Sequence, residues 1–151
     1  MKRALLALAA VSAFATALPA AAQFQKPEDA VKYRQSTMFV IGQHFGRVGA
    51  MVQGKAPYDA KATAENANIV VMMSKLPFTA FGEGTDKGGN TKAKPDIWKE
   101  MDKFQAAAKE MQEQAAKLDA AAKSGNLDAI KVAFGETGKT CKACHDNFRE
   151  K

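Results

Sequence analysis

The sequence predicts an all-α protein built as a four-helix bundle, and three observations lead to this prediction. Apolar residues recur at three- and four-residue steps in four successive segments, as expected for the buried faces of helices. Prolines and glycines interrupt that periodicity, which leaves three connections between four helices. The alternation typical of strands is hard to find. With 46% hydrophobic and 25% charged residues, the 151-residue chain is ordinary for one globular domain, which excludes collagen-like, disordered and multi-pass membrane proteins.

The first residues are typical of a secretory signal rather than of the bundle. Lys2-Arg3 is a short basic start, and the apolar stretch Ala4–Leu18 is shorter than the roughly 20 residues that a membrane-spanning helix needs. Ala20–Ala22 then offers small residues for cleavage. We expect residues 1–22 to be a cleaved signal peptide and residues 23–151 to form one periplasmic domain without a membrane anchor. A retained N-terminal anchor is the alternative.

The charge pattern argues against nucleic acid as a partner. The chain has 22 Lys and Arg residues against 16 Asp and Glu, a formal net charge of +6, which falls to +4 without Lys2 and Arg3. The remaining bases are interspersed with acids, as at Lys99-Glu100 and Lys109-Glu110. Because such interspersed charges are typical of a solvated helix face, we expect no nucleic-acid binding.

The first two predicted helices begin and end at recognisable signals. Pro27-Glu28-Asp29 starts the first helix, because proline suits the first turn and acids favour its positive end. Gly54–Pro57 ends this helix, the second runs from Tyr58 to Leu76, and Pro77 ends the second. The apolar stripe of the first helix comprises Val31, Met38, Ile41, Phe45, Val48 and Val52, and that of the second comprises Ile69, Met72, Met73 and Leu76.

A long segment separates the second predicted helix from the third. Residues 77–94 contain four glycines and are predicted to form a surface loop. Connections of this length are uncommon in compact domains. The loop therefore indicates either a functional role or a crossing between distant ends of the bundle.

The last two predicted helices show the clearest periodicity. Pro95-Asp96 begins the third helix, and Ser124–Asn126 ends it, with Asn126 able to cap the fourth. Both stripes follow heptad spacing. They comprise Ile97, Met101, Phe104, Ala108, Met111, Ala115, Leu118 and Ala122 in the third helix, and Leu127, Ile130, Phe134, Thr137, Cys141, Cys144 and Phe148 in the fourth. Both cysteines of the chain therefore lie on the inward stripe of the last helix.

One motif in the last predicted helix contains side chains that can attach a cofactor and bind its metal. Cys141-Lys142-Ala143-Cys144-His145 is C-x-x-C-H, the attachment pattern of c-type haem. Two thiols three residues apart on a helix can each reach one vinyl group on the same haem edge and form thioethers. His145 lies one helical turn after Cys141, so its imidazole can turn under the ring and bind the iron. The motif therefore predicts one covalently attached haem c.

Thiol exchange, zinc binding and a structural disulfide are the alternatives for this motif. A thiol-exchange pair needs its first cysteine near a helix N-terminus after a strand, whereas this pair lies near the end of the last helix. Zinc needs two further ligands, and His44 and His145 are the only histidines of the chain. A disulfide between Cys141 and Cys144 would constrain almost nothing. Covalent haem is the favoured interpretation.

Only six residues follow His145, so any second iron ligand must come from upstream. Together with this late motif, several segments make the sequence resemble the class II c-type cytochromes, and most closely the cytochrome c' family. The resemblance covers essentially all of residues 23–151. It rests on Lys26–Ser36, His44–Arg47, Ala56–Asp59, Leu76–Phe78, Pro95–Trp98 and Cys141–Asp146, followed by Phe148 and Arg149.

The resemblance implies an antiparallel up-down-up-down bundle and a haem bound near the C-terminal helix. It implies thioether links at Cys141 and Cys144, His145 as the axial iron ligand, and Arg149 on the proximal side. It implies a usually five-coordinate, high-spin iron, with Met38 closing the distal face. Further residues match positions that contact the haem edge or propionates in the family: Arg34, Gln35, Asn90 and Thr91, of which Asn90 departs from the Asp that relatives often have. The resemblance also implies a homodimer packed through the first two helices.

Met38 separates two functional hypotheses. If its side chain only packs over the iron, an apolar distal face leaves the metal open to small gases such as NO and CO, which need no hydrogen-bond donor. If its sulfur binds the iron, the Met/His pair holds the metal low-spin and six-coordinate and favours pure electron transfer to a redox partner that the sequence does not identify. We expect Met38 not to bind the iron. Because no plausible distal acid–base pair is found, we expect no enzymatic activity.

Overall fold

The computed structural model describes residues 24–151, and the signal peptide predicted at residues 1–22 lies outside the described residues. The helices in this range are α1 (Pro27–Val52), α2 (Ala60–Met73), α3 (Asp96–Lys99), α4 (Met101–Ser124) and α5 (Leu127–Phe148). The four long helices pack in the order α1, α2, α4 and α5, and α1 also contacts α5 to close the bundle. The predicted all-α, antiparallel up-down-up-down four-helix bundle is confirmed. Within residues 24–151, no helix is both long enough and apolar enough to cross a membrane.

Local signals set the ends of the helices. The Asp59 side chain accepts a hydrogen bond from Ala62 N at 2.9 Å and caps α2. Gly125 ends α4 in the left-handed conformation, with φ of 71°, which a residue without a Cβ adopts most easily. Asn126 Oδ1 then accepts hydrogen bonds from the first amides of α5, as predicted. The tight α4–α5 turn makes these two helices antiparallel neighbours.

Three clusters of buried apolar side chains form the core. One comprises Val48, Val52, Ala67, Leu118, Ala122 and Ile130. A second comprises Ile41, Val70 and Ala115. The third is aromatic and comprises Phe81, Ile97, Phe104 and Phe148. Within it, the Phe104 ring meets Phe81 and Phe148 edge-on, with ring centroids 4.7 and 5.3 Å apart. This aromatic cluster lies at the end of α5 and supports the functional site.

The second helix differs from its prediction in both length and buried face. It spans Ala60–Met73 rather than Tyr58–Leu76, and its predicted stripe residue Met72 is 63% exposed. Its buried face is instead small and partly polar, formed by Thr63, Ala67 and Val70. The hydroxyl of the buried Thr63 is not left without a hydrogen-bond partner, because it donates to Asp59 O at 2.7 Å. The predicted stripe was wrong at Met72, whereas Met73 packs against a core cluster, and a stripe chosen from large side chains missed the small residues of the buried face.

The third predicted helix is interrupted at Glu100. The backbone there has φ −122° and ψ 42°, so that α3 and α4 are separate helices. Trp98 in α3 donates from Nε1 to Gly82 O at 2.9 Å, which ties this short helix to the preceding loop. The predicted stripe nevertheless continues across the break, because Ile97 and Phe104 both belong to the aromatic cluster.

Only part of the segment 77–94, predicted as a surface loop, lies at the surface. Its first residues form a 3-10 turn, Pro77–Ala80, and Ala80, Phe81 and Thr85 are buried. Gly88, with φ of 137°, lies so close to α1 that a Cβ there would come within 2.9 Å of Pro27 Cβ. This segment is therefore a wall of the site described next, not a peripheral connection.

Candidate functional site

A cavity of about 470 Å³ lies between α1, the 77–94 segment and the end of α5. Its apolar walls come mainly from the aromatic cluster and from α1. Exposed side chains, among them Lys92 and Arg149, stand at its mouth. The lining comprises Arg34, Gln35, Met38, Phe39, Phe81, Thr91, Lys92, Ala93, Ile97, Phe104, Cys144, His145, Phe148 and Arg149.

The C-x-x-C-H motif lies on the last two turns of α5, beside this cavity. Cys144 and His145 line the cavity, whereas Cys141 lies one turn earlier and is half-buried outside the lining. Burial raises the pKa of both thiols, and in Cys144 the neighbouring Cys141 adds to the rise, to about 11. Both thiols are therefore protonated at neutral pH. Since thiol exchange requires a readily formed thiolate, this environment disfavours that alternative.

His145 is suited to binding a metal through a neutral imidazole. Desolvation lowers its pKa, the nearby positive charge of Arg149 lowers it further, and Asp146 raises it. Asp146 itself is paired with Lys142 on the same helix. The net direction keeps the imidazole unprotonated and leaves a ring nitrogen available as a ligand.

Arg34 holds the 77–94 segment against α1. This side chain is only 3% exposed. Its Nη1 donates to Ala80 O at 2.9 Å and to Thr85 Oγ1 at 3.3 Å, and its Nη2 donates to Thr91 Oγ1 at 2.9 Å. These contacts join one helix residue to three points along the segment. Arg34 thus fixes the shape of one cavity wall.

The guanidinium of Arg34 is also stacked among aromatic rings. Its central carbon lies 4.4 Å from the ring centroid of Phe81 and 5.6 Å from that of Trp98, within range of cation–π attraction. Burial lowers the pKa of Arg34 to about 10, although the nearby Asp86 raises it. The side chain therefore stays charged at neutral pH and contributes positive potential to the cavity.

Gln35, Asn90 and Thr91 also meet at this wall. Gln35 Nε2 donates to Asn90 O at 2.7 Å, so Asn90 contributes a main-chain oxygen to this contact. Thr91 accepts from Arg34 and also from Ala93 N, at 3.2 Å. Gln35 and Thr91 line the cavity, and Asn90 lies just outside its lining. The four residues matched upstream of the motif are therefore adjacent in space, although α1 and the loop are far apart in sequence.

Met38 faces the same cavity as His145 but from α1. It is half-buried and packs against the core cluster of Ile41, Val70 and Ala115. The side chain therefore takes part in the core and in the cavity wall at once. Both hypotheses require Met38 to face the cavity, and its contacts with the core cluster favour a packing role.

The C-terminal end of α5 is clamped to the loop. Lys94 N donates to Phe148 O at 3.0 Å, and Glu150 N donates to Lys92 O at 2.8 Å. The ammonium group of Lys94 further donates to Asp146 O at 3.1 Å, where the helix leaves its last carbonyls free. This clamp brings Lys92 and Arg149 together at the cavity mouth.

The cavity fits the haem that the motif predicts. Its volume lies within the roughly 300–1,000 Å³ typical of small-molecule sites. Its walls are apolar, a thiol and an imidazole line one side, and the charged side chains are cations: Arg34, Lys92 and Arg149. Within residues 24–151, no acidic side chain lines it. Apolar walls suit a flat macrocycle, and the cations suit its two propionates.

Four cavity residues, Phe39, Phe81, Lys92 and Ala93, escaped the sequence analysis. Phe81 and Lys92 lie in the 77–94 segment, and both line the cavity. A signal for Phe81 was present, because an aromatic residue amid glycines and polar residues indicates a loop position that needs burial. No local pattern indicated Lys92, since its position depends on the clamp to α5.

The chain is similar to known proteins in both sequence and structure. A profile of the family described as Cytochrome C' matches residues 29–149. Cytochrome c' from Rubrivivax gelatinosus is 58% identical over 129 residues, which cover 85% of this chain and all of that protein, and its crystal structure superposes with a TM-score of 0.82. Cytochrome c' from Alcaligenes xylosoxydans xylosoxydans is 46% identical over 85% of this chain and 99% of the relative. The nitric oxide complex of a variant of cytochrome c prime from Alcaligenes xylosoxidans is 47% identical, with a TM-score of 0.79, and the match covers 85% of this chain and 98% of that one.

Proposed function

The chain belongs to the cytochrome c' family, whose cofactor is covalent haem c, and on that basis we propose a periplasmic protein with a high-spin, five-coordinate iron. Its function would be to bind small gases such as NO and CO, to transfer single electrons, or both. The observation that carries the proposal is the packing of Met38. It faces the same cavity as His145 while its side chain is held in a core cluster. A low-spin electron carrier with Met38 as sixth ligand is the alternative.

Each residue of the site has a distinct part in this proposal. Cys141 and Cys144 tether the cofactor, and His145 binds its iron as a neutral imidazole. When bound, the haem supplies a redox-active iron that can also take up a small diatomic ligand. Met38 keeps the distal side apolar and excludes water, and Arg34 keeps the wall of the cavity closed. The positive side chains at the mouth favour the charged propionates.

Gas binding draws support from the relatives and from the lining of the cavity. A variant of the relative from Alcaligenes xylosoxidans has been solved as a nitric oxide complex. On the α1 side the lining includes the apolar side chains of Met38 and Phe39 beside Arg34 and Gln35, and the apolar part suits neutral ligands that need no hydrogen-bond donor. Because no carboxylate lines the cavity in the part of the chain that the structure describes, a general acid–base pair is lacking, and we propose no enzymatic activity.

Replacing Met38 by leucine tests the proposed role of this side chain. Leucine has a similar volume but no sulfur, so Met38→Leu should leave the visible spectrum and the NO and CO titrations of the ferrous holoprotein nearly unchanged. A parallel variant, Met72→Leu, makes the same exchange at an exposed site and serves as the control. If Met38 were the sixth ligand, Met38→Leu alone would convert a low-spin spectrum to a high-spin one and would speed gas uptake.

We propose a homodimer packed through α1 and α2, as the family resemblance implies. Phe39 is 66% exposed and Met72 is 63% exposed, and His44 Nδ1 pairs with Asn66 Oδ1 at 2.8 Å to bring the two helices side by side. Gly42 on α1 adds an open surface, because a Cβ there would meet no atom within 4 Å. Large apolar side chains beside small residues favour close contact with a second copy.

A charged side chain at Gly46 should disrupt this dimer without harming the protomer. A Cβ at Gly46 meets nothing within 4 Å, so Gly46→Glu should leave the fold intact and shift the molecular mass from dimer to monomer. Gly135→Glu on α5 is the matched control, because a Cβ there also meets nothing. Sedimentation equilibrium measures the molecular mass of each variant and of the parent protein. A monomeric parent protein, or a dimer that tolerates Gly46→Glu, would contradict the proposed interface.

A further inference from the structure

Phe39 differs from every other apolar side chain that lines the cavity. Within residues 24–151, the large hydrophobic residues that are exposed are Phe39, Tyr58, Met72 and Val132. Of these, only Phe39 lines the cavity, and it is 66% exposed. The other apolar side chains of the lining are buried or half-buried. Phe39 is therefore the one place where a large apolar side chain belongs both to the cavity and to the protein surface in this part of the chain.

Few contacts hold the ring of Phe39 in place. Among the described residues, it belongs to none of the three core clusters and forms no aromatic pair. By contrast, the preceding residue Met38 packs against a core cluster, and Phe81 lies in the aromatic cluster. Exposed side chains without such contacts change rotamer within picoseconds to nanoseconds. The ring can therefore move while the rest of the cavity wall stays fixed.

Phe39 lies at the edge of the cavity mouth that α1 forms. Gln35 is one helical turn earlier on the same side of α1, and it is also exposed and lines the cavity. Its side chain is fixed, because Nε2 donates to Asn90 O at 2.7 Å. One turn after Phe39 comes Gly42, which has no side chain, and a Cβ there would meet no atom within 4 Å. Between Gln35 and Gly42, the Phe39 ring is thus the side chain that can cover or uncover this edge.

We propose that Phe39 is a gate that sets how fast small neutral ligands enter and leave the cavity, and that it selects among them by size. With the ring over the mouth, a ligand meets an aromatic side chain on its path, and with the ring turned toward solvent the path is open. The ring touches neither the free ligand nor the ligand bound beside Met38. It therefore changes the barrier to entry and exit but not the affinity. This inference rests on the proposed function, because it requires an iron that takes up a gas.

The kinetics of CO binding to the ferrous holoprotein test the gate directly. Phe39→Ala should raise the association rate constant roughly three- to tenfold, a factor that corresponds to the cost of holding a side chain off its preferred rotamer. The dissociation rate constant, measured by displacing CO with NO, should rise by the same factor and leave the dissociation constant unchanged. Phe39→Trp should slow both steps. Rate constants that stay the same in both variants, or a changed dissociation constant, would overturn the proposal.

The size of the ligand gives a second readout of the same gate. Methyl isocyanide is a neutral ligand of ferrous haem that is bulkier than CO, so it needs a wider opening at the mouth. Phe39→Ala should therefore speed the association of methyl isocyanide by a larger factor than that of CO. Equal acceleration of the two ligands would show that the ring does not narrow the path, and it would contradict selection by size.

Met72→Ala is the matched control. Met72 shares the proposed dimer surface with Phe39 and is similarly exposed, but it lies outside the cavity lining. A rate change that acts through dimer contacts would therefore occur in both variants, and equal acceleration by Phe39→Ala and Met72→Ala would overturn the gate while leaving the spin state and gas binding untouched. A low-spin iron would refute the proposed function instead, and the same comparison of Phe39 variants in the Met38→Leu background would then decide the gate.

Discussion

Serine at both Cys141 and Cys144 will leave a protein without covalently bound haem. A serine hydroxyl does not form the thioether that a thiol forms with a vinyl group, so the cofactor would be held only by His145 and the apolar walls. Haem staining after denaturing electrophoresis measures the covalent fraction directly, and we expect it to fall from near complete to undetectable. Each single variant should retain one link and an intermediate signal.

The control for this prediction lies within the motif itself. Ala143→Ser places the same hydroxyl between the two cysteines, on an exposed position of α5, and should keep the full covalent signal. Covalent haem that survives in the double serine variant would contradict the assignment of both thiols. Loss of haem in Ala143→Ser would show that the motif tolerates no serine and would remove the specificity of the result.

Arg34→Met will destabilise the holoprotein by about 3 kcal/mol, the second largest effect that we expect. The substitution deletes three hydrogen bonds from a buried cation and leaves buried acceptors, Ala80 O foremost, without that donor. It also removes the cation stacked 4.4 Å from the centroid of Phe81. Because these contacts hold the 77–94 segment against α1, urea unfolding of the holoprotein should show a lower midpoint.

Two variants make the measurement specific. Lys32→Met removes an exposed cation from the same helix and should change stability by less than about 0.5 kcal/mol. Arg34→Lys keeps the charge but lacks the forked donors, so an intermediate loss is expected. If Arg34→Met were as stable as Lys32→Met, the contacts that Arg34 makes between α1 and the 77–94 segment would not be important for stability.

The parts of the fold that could be predicted are those with a regular local pattern. The heptad stripes of α4 and α5 predicted their buried faces, because apolar residues recur there at regular helical spacing over several turns. Asn126 was predicted as a cap from its position after a helix stop. The C-x-x-C-H motif predicted covalent haem because all of its chemistry lies within five consecutive residues.

The parts that could not be predicted depend on contacts between distant segments. Arg34 looks like any basic residue of a helix surface, and its burial follows only from bonds to Ala80 and Thr91, 46 and 57 residues away. The buried face of α2 was only partly predicted, since Thr63 carries no hydrophobic signal and the predicted stripe of large side chains did not include Ala67. The cavity wall at Lys92 depends on the clamp between the loop and α5, for which the sequence has no local sign.

Electron paramagnetic resonance of the ferric holoprotein, before and after reduction under NO, is the most direct test of the central claim. We expect a high-spin signal for the ferric protein and uptake of NO by the ferrous one, with Met38 packed beside the iron and not bound to it. A low-spin signal with Met–His character and no response to NO would contradict it, because Met38 would then be the sixth ligand and the protein solely an electron carrier.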